Sequence, residues 1–239
     1  MWEGIGEGVI GDLPPHLSSP QGGGTIRNYL AMYTNKFYIV GMGPGAREYL
    51  LPVALKRIKE ADCLIGARRA LDLFPEFKKE KVCFDGRLSQ VIPYLKKHRK
   101  DKKIAVLVSG DPGLYSLAQT IAGNFPKDEY AVIPGISSLQ LAFARIGESW
   151  QDVLIISLHG RKINRGILGD IKNSSKVFIF TDTDFPPNTL ASFLLDEGIK
   201  NRRTVVLENL SYPDERIVDS DLKKLSRMKG FGLCVMIIL

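Results

Sequence analysis

The chain has 239 residues, 44% of them apolar and 25% charged, and 33 Lys and Arg against 26 Asp and Glu leave a formal charge of +7. With mean hydropathy near zero, that balance excludes a disordered chain and suits one large or two small globular domains. Three scattered cysteines, Cys63, Cys83 and Cys234, exclude a disulfide scaffold and a CxxC zinc knuckle, so a reducing, cytoplasmic setting is expected. The longest apolar run, Leu233–Leu239, falls far short of the ~18–20 residues of a membrane-spanning helix. The first residues also lack the basic and apolar regions of a secretory signal. No membrane partner is expected.

Residues 1–35 contain a stretch rich in Pro, Gly and Ser, Leu13–Gly24, and are expected to be an irregular or disordered extension, with Met32 as an alternative start. From Lys36 onward, short β-branched runs alternate with amphipathic helical patterns. The spacing predicts strands at Phe37–Val40, Cys63–Ile65, Lys81–Phe84, Ile104–Ser109, Ala131–Ile133, Val153–Ser157, Val177–Phe180, Thr204–Glu208, Arg216–Val218 and Gly232–Ile238. Helices are predicted at Leu50–Glu60, Leu88–Arg99, Tyr115–Gly123, Ser138–Ile146, Asn188–Leu195 and Leu222–Arg227. Strands interleaved with helices imply βαβ units, hence an α/β fold with mainly parallel or mixed sheets. The polar interruption at Gly147–Asp152 suggests two αβα lobes, 36–148 and 149–239.

Three strand-to-helix turns stand out. Gly41-Met42-Gly43-Pro44-Gly45 follows the first strand, where a dinucleotide fingerprint would sit. Pro44 deprives that loop of an N–H, the third fingerprint glycine is missing, and no acid closes the second strand, because Asp62 precedes it. The loop therefore reads as a ligand-approach turn, or as a turn needed only for tight geometry. Ser109-Gly110-Asp111-Pro112-Gly113-Leu114-Tyr115 follows the fourth strand; here Asp111 offers an acceptor at the strand tip or caps the helix that opens after Pro112. Ile133-Pro134-Gly135-Ile136-Ser137-Ser138 leads into another helix, which its serines are suited to cap. All three turns belong on one edge of one sheet, where ligands of open α/β sheets collect.

These three motifs, in this order and spacing, resemble the signatures of the tetrapyrrole methylase family over about Lys36–Leu239. Ser157-Leu158-His159-Gly160-Arg161, and Glu208-Asn209-Leu210-Ser211-Tyr212-Pro213-Asp214-Glu215-Arg216-Ile217 with Ser211 in place of a usual glycine, resemble the branch that methylates carbon 5 of a corrin precursor. The resemblance implies two αβα lobes with S-adenosylmethionine folded between them. It also implies methyl transfer to carbon 5 of a cobalt-precorrin or precorrin in cobalamin biosynthesis, with S-adenosylhomocysteine as product. On this reading Pro44, Ser109, Gly110, Asp111, Tyr115, Ser137, Ser138, Thr181, Glu208 and Gly232 hold the cofactor. Gly43, Gly45, Arg47 and Arg161 face the acceptor, while His159 and Asp111 assist proton movement, although His159 equally suits a purely structural hydrogen bond.

The anionic tetrapyrrole suits the basic excess. The run Lys96–Lys103, with six basic side chains and one acid, reads equally as a solvated helix end. No nucleic-acid partner is expected, since no aromatic-basic interleaving accompanies the charge. His16, His98 and His159 lie too far apart to suggest a metal site. The resemblance further implies a homodimer, with which the apolar C-terminal strand is compatible. It also implies a separate decarboxylating methyltransferase acting at carbon 15, because this chain ends at Leu239. Alternatives are a uroporphyrinogen methylase, a diphthine synthase or a ribosomal RNA ribose methylase of the same family. From other classes come an NAD-dependent oxidoreductase and a non-catalytic nucleotide-binding module.

Overall fold

Two sheets form where the β-branched runs lie. The computed structural model describes residues 36–84, 88–158, 163–182 and 185–239. The first sheet contains β1 (Phe37–Gly41), β2 (Cys63–Gly66), β3 (Glu80–Cys83), β4 (Ile104–Val108) and β5 (Tyr130–Ile133), in the order β3-β2-β4-β1-β5. Every neighbouring pair is parallel. All residues of the central strands β1 and β4 are buried, as continuous apolar runs covered on both faces require.

The second sheet contains β6 (Leu154–Ser157), β7 (Val177–Phe180), β8 (Arg203–Glu208), β9 (Arg216–Asp221) and β10 (Cys234–Ile238), ordered β6-β7-β10-β8-β9. Only β6 and β7 run parallel; the other pairs are antiparallel. The fold is therefore α/β, with one parallel and one mixed sheet.

The helices are α1 (Pro52–Glu60), α2 (Arg68–Asp72), α3 (Leu88–His98), α4 (Ala118–Ala122), α5 (Ser138–Ile146), α6 (Arg165–Asn173), α7 (Pro187–Asp196) and α8 (Leu222–Leu225). α5 joins the two halves. Its start is fixed by a capping box: the Ser137 hydroxyl accepts from Gln140 N at 3.2 Å while Gln140 Oε1 accepts from Ser137 N at 2.9 Å. Its end is fixed by Gly147 in the left-handed conformation at φ 68°. Between these stops, Leu139, Leu141, Ala142 and Phe143 pack against Phe178, Val205, Leu207, Val235 and Ile237. A helix that follows the first sheet thus covers one face of the second. The opposite face is covered by Ile171 of α6, Leu190 and Leu194 of α7, and Leu222 and Leu225 of α8. Phe143 and Phe178 are fully buried with ring centroids 6.3 Å apart, and each such side chain contributes about 1.5–3 kcal/mol through removal from water.

Three expectations need correction. The helix predicted from Tyr115 begins only at Ala118; Tyr115 itself sits at φ 48°, a conformation no helix propagates. α2 and α6 form where no helix was expected. The apolar terminal segment β10 is the central strand of the second sheet, flanked by β7 and β8, so its apolarity is explained by burial inside this chain and is no argument for a dimer.

Candidate active site

Strands β4, β1 and β5 are parallel neighbours, so their carboxyl ends emerge along one edge and the three turns that follow them meet there. They meet as bare backbone. Gly43 N donates to Gly110 O at 3.3 Å and Gly110 N to Gly43 O at 2.8 Å, a two-residue bridge between the first and second turns. A Cβ on Gly135 would lie 2.3 Å from Gly110 O and 2.9 Å from the Gly41 backbone, and one on Gly41 would lie 2.6 Å from Gly135 N. No side chain fits at either position. Asp111 completes the junction: its Oδ1 accepts from Gly113 N at 2.7 Å and its Oδ2 from Gly135 N at 3.0 Å. Its carboxylate thus ties the second turn to the third, and it caps no helix.

The turn after β8 reaches across to the first sheet. Ser211 Oγ accepts from Ala46 N at 2.7 Å, and the Tyr212 ring fills the space a Gly45 side chain would take, 2.3 Å from the nearest ring atom. Glu215 accepts from Arg145 Nε at 2.6 Å and from Ser211 N at 2.7 Å, while Arg145 also donates to Tyr49 Oη at 3.1 Å. The Arg145 guanidinium, and next the cost of burial offset by the Ser211 amide, leave the Glu215 carboxyl below the usual carboxylate range. Ser211 holds φ 72°, the left-handed region that explains glycine as the usual residue there.

These braces enclose a cavity of about 240 Å³. Pro44, Ser109, Gly110, Asp111, Ser137 and Ser138 from the three turns line one side of it; Ser157, Phe180, Thr181, Leu207, Leu233, Cys234 and Val235 from the second sheet line the other. Leu114, Tyr115, Leu210 and Arg69 complete the wall. Tyr115 Oη donates to Ile155 O at 3.0 Å, and its ring edge meets Phe180 at 5.7 Å. Thr181 Oγ1 donates to Cys234 O at 2.6 Å, and burial pushes the Cys234 thiol up.

Seven of the positions expected to hold a cofactor line this cavity: Pro44, Ser109, Gly110, Asp111, Tyr115, Ser137 and Ser138. Thr181 lines it too. Glu208 and Gly232 do not. The Glu208 carboxylate turns away to Arg216, 2.7 Å from its Nε, and to the Gly232 amide, leaving Leu207, Leu233 and Cys234 to form that wall. Gly45 offers no open face for an acceptor, because Tyr212 occupies it, and Gly43 is used in the bridge to Gly110. Arg47 is paired with Glu76 and lies over the Phe74 ring at 5.3 Å, outside the cavity lining. His159 and Arg161 fall outside the described residues. The sequence reading missed Arg69, Ser157, Phe180 and the apolar wall; Ser157 was quoted as part of a motif, but nothing in its local pattern marked it as lining.

The lining suits a nucleoside carrying an amino acid better than a diphosphate. An apolar wall faces hydroxyls and backbone groups, and at the N-terminus of α5, where phosphate would bind, the Gln140 amide is already taken by the Ser137 hydroxyl. Among the described residues no cluster of three His, Cys, Asp or Glu is arranged to hold a metal.

A small-molecule cleft between the carboxyl edge of a parallel sheet and one edge of a mixed sheet defines a cleft-bearing α/β protein. Residues 36–226 match the tetrapyrrole (corrin/porphyrin) methylases, and the chain belongs to that family. It is 41% identical over 197 residues to a probable cobalt-precorrin-7 C(5)-methyltransferase of Methanocaldococcus jannaschii, spanning 79% of this chain and 90% of the relative. To the cobalt-precorrin-7 C(5)-methyltransferase of Salmonella typhimurium it is 35% identical over 179 residues, 75% of this chain and 87% of the relative. The crystal structure of uroporphyrin-III C-methyl transferase from Thermus thermophilus, complexed with S-adenosylhomocysteine, superposes with a TM-score of 0.73 at 21% identity, covering 85% of this chain and 96% of that one. This last likeness is one of fold.

Proposed function

We propose that the chain transfers a methyl group from S-adenosylmethionine to carbon 5 of a cobalt-precorrin or precorrin in cobalamin biosynthesis. The observation that carries the reading is the 41% identity, over nine-tenths of its length, to a relative named for that step; the cleft supplies the chemistry. Bound there, the donor presents a methyl group on a cationic sulfur, which an electron-rich ring carbon takes in a single displacement.

The chain's part is orientation and exclusion of water. Leu114, Phe180, Leu207, Leu233 and Val235 form an apolar wall for the base. Ser109, Gly110 and Ser138 offer hydroxyl and backbone groups for the ribose and amino acid. Tyr115 and Thr181 are held by their own hydrogen bonds and so present fixed surfaces. Asp111 serves by joining turns, since both of its oxygens already accept amides, and this leaves His159 as our candidate for moving a proton. Arg161 is retained as an acceptor-facing residue.

We take the protein to act in the cytoplasm, which suits its three scattered cysteines, and, by resemblance to its family, as a homodimer. Among the described residues no helix is long and apolar enough to cross a membrane. We take the decarboxylating methylation at carbon 15 to fall to a separate protein, a reading supported by relatives named for the carbon 5 step alone.

The test is mass spectrometry of cobalt-precorrin-7 incubated with this protein and methyl-labelled S-adenosylmethionine. One labelled methyl at carbon 5 is expected; a label at another carbon, or none, contradicts the assignment.

A further inference from the structure

We infer that Arg69 is a specificity-determining residue whose guanidinium receives a carboxylate of the macrocyclic acceptor at the mouth of the cleft. The inference rests on the methyltransferase reading above. Arg69 lies on the short helix α2, exposed to solvent, and lines the cavity. Other arginines nearby are committed: Arg47 to Glu76, Arg145 to Glu215 and Arg216 to Glu208. No hydrogen bond or ion pair joins Arg69 to any carboxylate among the described residues. What holds it is an aromatic face, since its guanidinium carbon lies 5.6 Å from the centroid of the Tyr212 ring. That ring is itself wedged against Gly45, so the turn after β8 positions the arginine without neutralising it.

The charge arithmetic of the cleft then identifies the ligand group. Among the described lining residues Arg69 is the one cation and Asp111 the one acid, and Asp111 is engaged by two amides. A cationic sulfur entering this cleft is repelled by an uncompensated guanidinium. An anion must therefore reach Arg69, and a planar fork stacked on an aromatic ring is built for a carboxylate. Carboxylates come from two sources, the amino-acid end of the donor and the rim of the macrocycle. Arg69 reaches the lining from α2 and is held by the turn after β8, whereas the Ser109, Gly110 and Ser138 surface assigned to the donor comes from the turns after β4 and β5, so the macrocycle is the favoured source.

Arg69→Gln and Arg69→Lys are titrated with cobalt-precorrin-7 under saturating S-adenosylhomocysteine, and separately with S-adenosylhomocysteine alone. The Gln variant is expected to bind the tetrapyrrole about ten- to a hundredfold more weakly, the loss of one charge-assisted contact, with S-adenosylhomocysteine affinity within about twofold of the parent's. The Lys variant is expected to fall between, keeping charge without the fork. Esterifying the acceptor's carboxylates should abolish the difference between parent and Gln variant, a result that a merely structural arginine would not give. Unchanged tetrapyrrole affinity in the Gln variant overturns the inference alone. So does a loss confined to S-adenosylhomocysteine, which assigns the arginine to the donor. Failure of the unsubstituted chain to bind the tetrapyrrole overturns both the inference and the reading beneath it.

Discussion

At the scale of single residues, the site depends on what is missing. Gly41 and Gly135 are required because backbones touch where their side chains would be, and Gly110 because it sits at φ 65°; the sequence reading had offered ligand approach or tight geometry for the Gly41–Gly45 loop. Two closures account for the difference: Gly135 is closed off by Gly110 and Gly41, and Gly45 by Tyr212. Gly135→Ala forces a Cβ to within 2.3 Å of a carbonyl oxygen that the neighbouring turn holds fixed. Overpacking of this kind costs about 1–3 kcal/mol, or roughly 3–10 °C of melting temperature for a domain of this size. We expect that loss in thermal denaturation, together with at least about a tenfold weaker affinity for S-adenosylhomocysteine, because the cofactor-facing turns move together. An alanine variant equal to the parent in both would show that the turns do not pack as described. Ser211 shows the opposite economy: a non-glycine residue at positive φ, a conformation costing about 1 kcal/mol or more, keeps its place while its hydroxyl binds the Ala46 amide.

Among the elements, the brace between α5 and the turn after β8 has a pH signature. Glu215, with its side chain 16% exposed, is held below its ordinary carboxyl value of 4.5 first by Arg145. A depressed folded-state value means that the pair stabilises the protein above the unfolded glutamate's range, and that this stability fades as pH falls through the folded-state value. Arg145 is about a third exposed, so the expected contribution at neutral pH is modest, about 1 kcal/mol. Glu215→Gln should melt below the parent at pH 7, and the gap should close as the medium is made more acidic than the ordinary glutamate range. A gap constant with pH would mean that Arg145 and Glu215 do not interact as ions.

The elements also show how far the sequence could be read. All ten strands among the described residues were legible, because β-branched runs bounded by Gly and Pro allow little else. α5 was legible to the residue, since Ser137 and Gly147 mark both of its ends. α6 escaped because Gly166 and Gly169 interrupt its pattern and only Ile171 is buried; its cap, Asn164 accepting from Ile167 N at 3.0 Å, was the available signal. The late start of α4 was not legible, because Ser116 rather than Asp111 accepts the amide at its entrance, from Ala118 N at 3.0 Å. Arg69 and the apolar wall were hidden for a different reason: they reach the cavity through tertiary contacts that no spacing encodes.

At the scale of the molecule, three neighbouring turns on one parallel sheet face the side of a second, mixed sheet where β6, β7 and β8 end and β10 begins, and α5 fixes their separation by belonging to one sheet in sequence and to the other in packing. The resulting cleft offers hydroxyls, backbone groups and an apolar wall, and the helix start at α5 is partly taken up by its own capping box. This arrangement selects a sulfonium-bearing nucleoside over a dinucleotide, in agreement with the methylase family to which the chain belongs. Isothermal titration of the same preparation with S-adenosylhomocysteine and with NAD tests that claim most directly. The account predicts affinity on the order of micromolar for S-adenosylhomocysteine and no heat from NAD; binding of NAD with S-adenosylhomocysteine inert would contradict it.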